Sequence, residues 1–327
     1  MTVMITGGTG MIGAAVAREL LKRGERPVLF DIAPKPDYVA DIREKVKVVP
    51  GDLKVWSEVL NAVKDNQVEG IFHLGAMMGR PSDENPWGSF QTNVAGTMHI
   101  FEAARYFGVK RVFFASSTST FALGSAEVVT DETIQRPTTA YAIGKLYCEL
   151  LGRFYRRKFG LDFRCVRYST VMSPAVRVKS FTQFGNLMIR SAVLGEPFEC
   201  FVAEESVTPV IYIKDAVRAA VTLYYAPADR IKTVCYNVSG VEPAPAAKEI
   251  ELAIKKVIPG ANISYKPDPA VMEYLAVQPM RVIDDSKARE EWGWQAQYNT
   301  LDKMVADFIA EARRSPELYG LSAPPGK

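Results

Sequence analysis

The sequence predicts an α/β protein, a doubly wound parallel sheet joined to a smaller, discontinuous α/β C-terminal lobe. Three observations carry this. Short apolar runs alternate with longer stretches at helical spacing through residue 168, the order that builds parallel βαβ units. The first run breaks into glycines at positions 7, 8, 10 and 13 just before a helical pattern. From residue 169 onward the alternation is less regular.

Taken in order, Val3-Met4-Ile5 is a strand that turns through Gly7, Gly10, Met11, Ile12 and Gly13 into an alanine-rich helix. Glycine suits such a turn because a Cβ would block positive φ and hold the backbone away from a bound pyrophosphate. The helix N-terminus adds unpaired N–H groups and partial positive charge, an anion site. The next run, Val28-Leu29-Phe30, ends in Asp31, about twenty residues on, where a carboxylate can accept from a ribose 2′-OH and would repel a 2′-phosphate. That favours NAD over NADP, although Arg26 and Lys35 lie near. A glycine cluster alone can be an ordinary turn; strand, glycines, helix, strand and acid in this order point to a Rossmann-type dinucleotide site.

A loop with Pro34 and Pro36 leads to a strand over Val46 to Val49, closed by Pro50-Gly51-Asp52-Leu53. Asp52 can hydrogen-bond an adenine amino group or cap the helix that runs from Lys54 to about Asp65. The strand Gly70 to His73 is followed by Leu74, Gly75 and Ala76, small enough at 75 and 76 for a cofactor to pass close. Residues 77–86 read as a loop and 87–107 as one long helix containing Asn93, a surface residue unless it faces the sheet and ties loops together. The strand Arg111 to Ala115 ends in Ser116-Ser117-Thr118-Ser119-Thr120, at the carboxyl ends of the strands where ligands bind such folds. A helix over Thr138 to Phe159 and a strand over Asp162 to Tyr168 complete the cofactor half.

Residues 1–168 therefore read as the cofactor domain, with 208–240 returning to it through a strand at Thr208 to Ile213 and another at Val234 to Val238. Residues 169–207 and 241–327 read as the substrate lobe, ending in a tail, Ser322 to Lys327, expected to fray.

Composition excludes several classes. The chain has 327 residues, 48% hydrophobic and 24% charged, with 40 basic against 37 acidic side chains and no basic run, which argues against nucleic acid. No apolar stretch is long enough to span a bilayer and no signal peptide is read, so a cytoplasmic setting is expected. Cys148, Cys165, Cys200 and Cys235 lie far apart in apolar patterns and read as buried thiols. With only two histidines, His73 and His99, a histidine metal site or triad is not expected.

The chemistry centres on Tyr141 and Lys145, four apart on one helix and so on one face. A tyrosine ionises near pH 10; a nearby ammonium and the positive nicotinamide both favour the phenolate. Tyr141 can then take the proton of an alcohol, Lys145 can also hold the nicotinamide ribose, and Thr118 can donate to the alcohol oxygen. Ser117 and Ser119 are alternates for that hydroxyl. A Tyr-x-x-x-Lys pair also arises by chance on helix surfaces; its order with the glycine turn, the acid and the hydroxyl run makes the chemical reading.

GGTGMIG, Asp31, Gly51-Asp52-Leu53, His73-Leu74-Gly75-Ala76, Thr92 to Thr97, the hydroxyl run and YAIGK at 141–145 together resemble the extended short-chain dehydrogenase/reductases of the NAD-dependent epimerase/dehydratase group, over nearly the whole chain. The resemblance implies that Asn93 supports the active site, that Tyr168 and the residues just after it lie beside the nicotinamide, and that Ser116 belongs with the cofactor contacts. Thr208 to Asp215, Tyr236 to Gly240 and Asp284 to Trp294 are similar to short-chain L-threonine 3-dehydrogenases. Three departures face the implied substrate pocket: Met77-Met78-Gly79-Arg80, Ser169-Thr170, and Val277-Gln278-Pro279 where those enzymes have Ser-Trp-Pro.

Met78, Arg80, Ser119, Arg177 and Thr182 are the substrate candidates, with Lys179 as a further loop cation. A cation there can bind a carboxylate or phosphate, though solvated loop charge is the commoner arrangement. The expected function is NAD-dependent oxidation of a secondary alcohol on a small hydroxy amino acid or hydroxy acid. Alternatives are a nucleotide-sugar epimerase that uses NAD transiently and a non-catalytic NAD-sensing protein, which would not need Tyr141 and Lys145. A homodimer through a four-helix contact of 87–107 and 138–159 is expected.

Overall fold

The computed structural model describes residues 1–35, 37–177 and 180–321. Lys179, Pro36 and the tail at 322–327 lie outside the described residues. Seven strands form the main sheet: β1 (Thr2–Thr6), β2 (Arg26–Asp31), β3 (Lys47–Pro50), β4 (Gly70–His73), β5 (Arg111–Ser117), β6 (Asp162–Tyr168) and β7 (Cys235–Asn237). Their order across the sheet is β7-β6-β5-β4-β1-β2-β3, every neighbouring pair parallel. The crossover direction reverses between β1 and β4, so a crevice opens there at the carboxyl ends of the strands.

Alternate residues of each strand feed opposite faces. Val3, Ile5, Leu29, Phe72, Phe113 and Val166 pack under α1 (Met11–Lys22) and a helix at Ile213–Tyr225, while Met4, Phe30, Ile71, Val112 and Phe114 pack under helices at Trp56–Asp65, Gly96–Tyr106 and Ala140–Phe159. Both faces are covered, which is why these strands read as unbroken apolar runs. A separate core joins helices at Phe184–Leu194, Ala247–Val257 and Leu301–Arg314. No described helix is long and apolar enough to cross a membrane.

Some elements depart from the sequence reading. Residues 77–86 include a short helix, Arg80–Glu84, with Pro81 in its first turn. The expected helix over 87–107 begins at Pro86 and changes at Phe90–Ala95 to a π-helical segment before continuing as Gly96–Tyr106. The carbonyl of Asn93 there accepts from Thr97 Oγ1 (2.5 Å) and Cys148 Sγ (3.2 Å), partners that periodicity cannot show. The expected strand at Thr208 to Ile213 shortens to Val210–Tyr212 and pairs with Thr170–Met172 in a two-stranded sheet; only Cys235–Asn237 joins the main one. Its apolar face serves the core of the C-terminal helices, where Val210 and Tyr212 are buried.

Candidate active site

The opening turn is built by close backbone approach. Gly7 has φ +62°, and a methyl built on it would stand 3.0 Å from Gly75 Cα; one on Gly13 would meet the Gly7 carbonyl oxygen at 2.3 Å. Glycine is thus required where the first and fourth strand ends converge. No side chain caps α1, whose first turn begins at Met11 and Ile12, so its leading N–H groups can serve an anion. Asp31 Oδ2 accepts from Thr9 N (3.1 Å) and Thr9 Oγ1 (2.7 Å), which braces the turn against the end of β2. Asp31, Asp52, Leu53, Gly75 and Ala76 line a cleft of about 390 Å³ together with Gly7. Asp52 also accepts from Lys54 N (2.9 Å), so it both faces the cleft and closes its own turn.

A buried chain of hydrogen bonds sets the floor. Thr6 Oγ1 accepts from the backbone of Leu74 (3.1 Å) and Gly75 (3.0 Å) and pairs with His73 Nδ1 (2.6 Å). His73 Nε2 meets Thr97 Oγ1 at 2.9 Å, and Thr97 donates to the Asn93 carbonyl. Burial, then the Lys145 charge, drives His73 down to about 3, so the ring is neutral at physiological pH. Asn93 is buried, and its side chain clamps both the N–H and the C=O of Met77 at 2.8 Å.

At the end of β5 the hydroxyls meet Tyr141. Ser119 donates to Ser117 Oγ from its backbone N–H (3.2 Å) and its Oγ (2.9 Å). Those two bonds occupy the lone pairs of Ser117, and its polar side chain acts on the Tyr141 phenol in the direction that lowers it, against the larger effect of burial. Lys145 Nζ lies 5.6 Å from the centre of the Tyr141 ring and donates to the Ala115 carbonyl at 2.6 Å. Burial lowers Lys145 to about 8 and raises the Tyr141 phenol above its usual value, so without ligand the phenol is protonated.

Residues 3–239 match the NAD dependent epimerase/dehydratase family. The chain belongs to that family. It is 30% identical over 311 residues to "L-threonine 3-dehydrogenase, mitochondrial" of Bos taurus, covering 94% of this chain and 81% of the relative. It superposes with a TM-score of 0.88 on "GalE-like L-Threonine dehydrogenase from Cupriavidus necator (holo form)", 30% identical, covering 95% and 99% of the two chains. "Monomeric L-threonine 3-dehydrogenase from metagenome database (apo form)" matches at 25% identity and a TM-score of 0.87, over 95% and 99%. This family member is an NAD-dependent enzyme, and the glycine cradle, the uncapped helix start and the Asp31 carboxylate fit that cofactor.

The structure scatters other candidates of the sequence reading. Ser116 Oγ is buried and donates to Glu149 Oε1 (2.5 Å), a carboxylate that Arg167 also holds. The Tyr168 ring sits in the core under the sheet with its hydroxyl on the Ala216 carbonyl (2.8 Å), leaving only its backbone at the strand end. Arg80 pairs with Glu84 (2.7 Å) at the surface, and Arg177 is drawn to the Leu318 carbonyl (3.2 Å). Met78 is exposed, and Thr182 is half-buried in the turn before Phe184–Leu194. Thr118 is buried and opens a short 3-10 turn, with Ser117 just before it at the end of β5. The bracing roles of Thr6 and Thr9 are not read from the sequence, and Thr97 enters there only as the end of a motif; threonines beside the first glycines and the π segment are the signal they leave.

Proposed function

We propose that this enzyme oxidises a secondary alcohol on a small hydroxy amino acid or hydroxy acid, in the manner of an L-threonine 3-dehydrogenase. The observation that carries the reading is Lys145 Nζ 5.6 Å from the centre of the Tyr141 ring, with the hydrogen-bonded Ser117 and Ser119 hydroxyls at the carboxyl end of β5. NAD held there would supply the acceptor for the hydride on the alcohol carbon. Tyr141 acts as base once its phenol has released its own proton to solvent; the phenolate then takes the hydroxyl proton, and Ser117, already oriented by Ser119, donates to the same oxygen. Lys145 supplies positive charge beside the phenol, favouring its ionised form. Thr118 is the alternate donor.

Glycine cradle, Asp31, Asp52, Leu53 and the 74–76 segment are read as holding NAD, with Asn93 supporting the loop at Met77. We read 169–207 and 241–327 as the substrate lobe. Ile143, Tyr147, Leu150 and Phe154 form an exposed apolar stripe on one helix, and Trp87, Phe90 and Met98 are exposed on its neighbour; these support a homodimer through both helices. Four free, buried cysteines suit a reducing, cytoplasmic setting.

A nucleotide-sugar epimerase is the second reading. The two are separated by incubating the enzyme with NAD and L-threonine, 3-hydroxybutyrate, UDP-glucose or UDP-galactose. Net NADH from a free alcohol supports the dehydrogenase; interconversion of the UDP-sugars without net NADH refutes it.

A further inference from the structure

We propose that Gln135 is a positioning residue for the reaction: through Thr120 it pins the Ser117 carbonyl, and so fixes where the Ser117 hydroxyl meets the substrate alcohol. The inference rests on Ser117 being the hydroxyl donor.

The end of β5 is held at three successive residues. Lys145 Nζ donates to the Ala115 carbonyl (2.6 Å), Ser116 Oγ donates to Glu149 Oε1 (2.5 Å), and Thr120 Oγ1 donates to the Ser117 carbonyl (2.9 Å). Lys145 and Glu149 follow Tyr141 at successive i, i+4 steps, so the first two holds set the strand end against the helix that carries the phenol. The third acts on Ser117 itself, and it has a different origin. Gln135 lies in the loop before that helix, and its Nε2 donates to Thr120 Oγ1 at 2.7 Å. A hydroxyl has one hydrogen; with Gln135 donating into its oxygen, that hydrogen is left for the Ser117 carbonyl.

The direction of the Gln135 amide is fixed by its neighbours. Arg167 Nη2 lies 3.5 Å from Gln135 Oε1, and Glu149 Oε2 lies 3.3 Å from Gln135 Nε2. A guanidinium can only donate and a carboxylate only accept, so turning the amide over would set like against like at both. The lengths rank its tasks. Glu149 already receives three closer bonds from Arg167 and one from Ser116, whereas the shortest Gln135 bond goes to Thr120. Thr120 and Glu149 are fully buried, so removing the amide leaves their oxygens without that donor away from solvent. The loop is tied as well, the Arg136 carbonyl accepting from Leu123 N–H (3.2 Å).

The test compares Gln135→Met, Thr120→Val and Thr120→Ser in the full-length protein. The first two replacements keep most of the volume and lose the hydrogen bonds; the third keeps the hydroxyl. With NAD and whichever of L-threonine and 3-hydroxybutyrate the wild type oxidises better, Gln135→Met and Thr120→Val should each lower kcat about tenfold, because a small misplacement of a reacting group costs rate. Their KM for NAD should stay within about twofold, their combination should cost no more than either alone, and Thr120→Ser should stay within about twofold of wild type throughout. Without NAD, hydrogen exchange of the peptide covering residues 117–121, where Phe121 N–H donates to the Thr118 carbonyl (2.9 Å), should quicken about tenfold in the first two variants and not in Thr120→Ser. Full kcat in Gln135→Met, additive losses in the double variant, or an equal loss in Thr120→Ser overturns the proposal. So does unchanged exchange in Gln135→Met, which decides even if neither alcohol is the substrate. Failure of the donor reading looks different: Ser117→Ala then keeps full kcat.

Discussion

Replacing Arg167 with methionine is the perturbation whose cost comes most directly from the geometry. The guanidinium is 2% exposed and holds Glu149 through Nε (3.0 Å to each oxygen) and Nη2 (2.8 Å). It also reaches Asp131 at 3.4 Å and Asn237 Oδ1 at 3.3 Å. Methionine fills most of the volume but leaves Glu149, itself 2% exposed on its side chain, charged and unpaired. Breaking a buried pair from one side costs about 3–5 kcal/mol, far more than the pair contributes net, because the remaining charge keeps its desolvation penalty. Removing both charges, in Arg167→Met with Glu149→Leu, should recover most of that loss, to within about 2 kcal/mol of wild type. Ser116 donates to Glu149, so the single variant should also loosen the strand end that carries Ser117 and lower kcat. Chemical unfolding of the wild type, the single and the double variant at one pH supplies the numbers. A single variant within about 1 kcal/mol of wild type, or a double variant no better than the single, would refute the reasoning.

The remaining contacts set further outcomes. His73 is held down at about 3 by burial, against 6.5 when free; a lowered folded value means its contribution is fully present above pH 6.5 and is lost as pH falls toward 3. The span is worth about 5 kcal/mol, so acid unfolding should begin below neutrality and His73→Gln should flatten that limb in a pH-dependent stability series. Gly7→Ala forces a side chain onto φ +62° and toward Gly75, and should weaken NAD binding about tenfold or more by fluorescence titration while secondary structure survives. Ser119→Ala removes the hydroxyl bond to Ser117 but not the backbone one, so kcat should fall about three- to tenfold with unchanged NAD affinity. Leu150→Glu places a charge in the exposed apolar stripe; light scattering should show a smaller species than for the wild type if that stripe joins two copies.

Much of this molecule is legible in its residues, and what is hidden has a common cause. The strands are readable because burial on both faces leaves runs such as Val3-Met4-Ile5 unbroken, and the glycine turn because steric demands at Gly7 and Gly13 permit little else. Tyr141 and Lys145 are readable because one helix carries both. The π segment is not, because its freed carbonyl is satisfied by Thr97 and by Cys148 from another helix. Ser117 could be named only among neighbours, since all the hydroxyls in its run share one composition; its bonds to the backbone and hydroxyl of Ser119 are set by the turn that follows the strand. Arg177 and Arg80 have a carbonyl and a carboxylate as partners, which their place near the expected pocket does not disclose.

Tyr141 as the proton acceptor, with Ser117 as its hydroxyl partner, is the centre of the proposed chemistry. Its most direct measurement is steady-state NAD reduction by Tyr141→Phe, Ser117→Ala and Thr118→Val beside the wild type, with NAD affinity measured for each. Tyr141→Phe and Ser117→Ala should each lose about 10²-fold or more in kcat while binding NAD normally, and Thr118→Val should stay within about threefold. Activity retained in Tyr141→Phe, or a loss at Thr118 in place of Ser117, would contradict it.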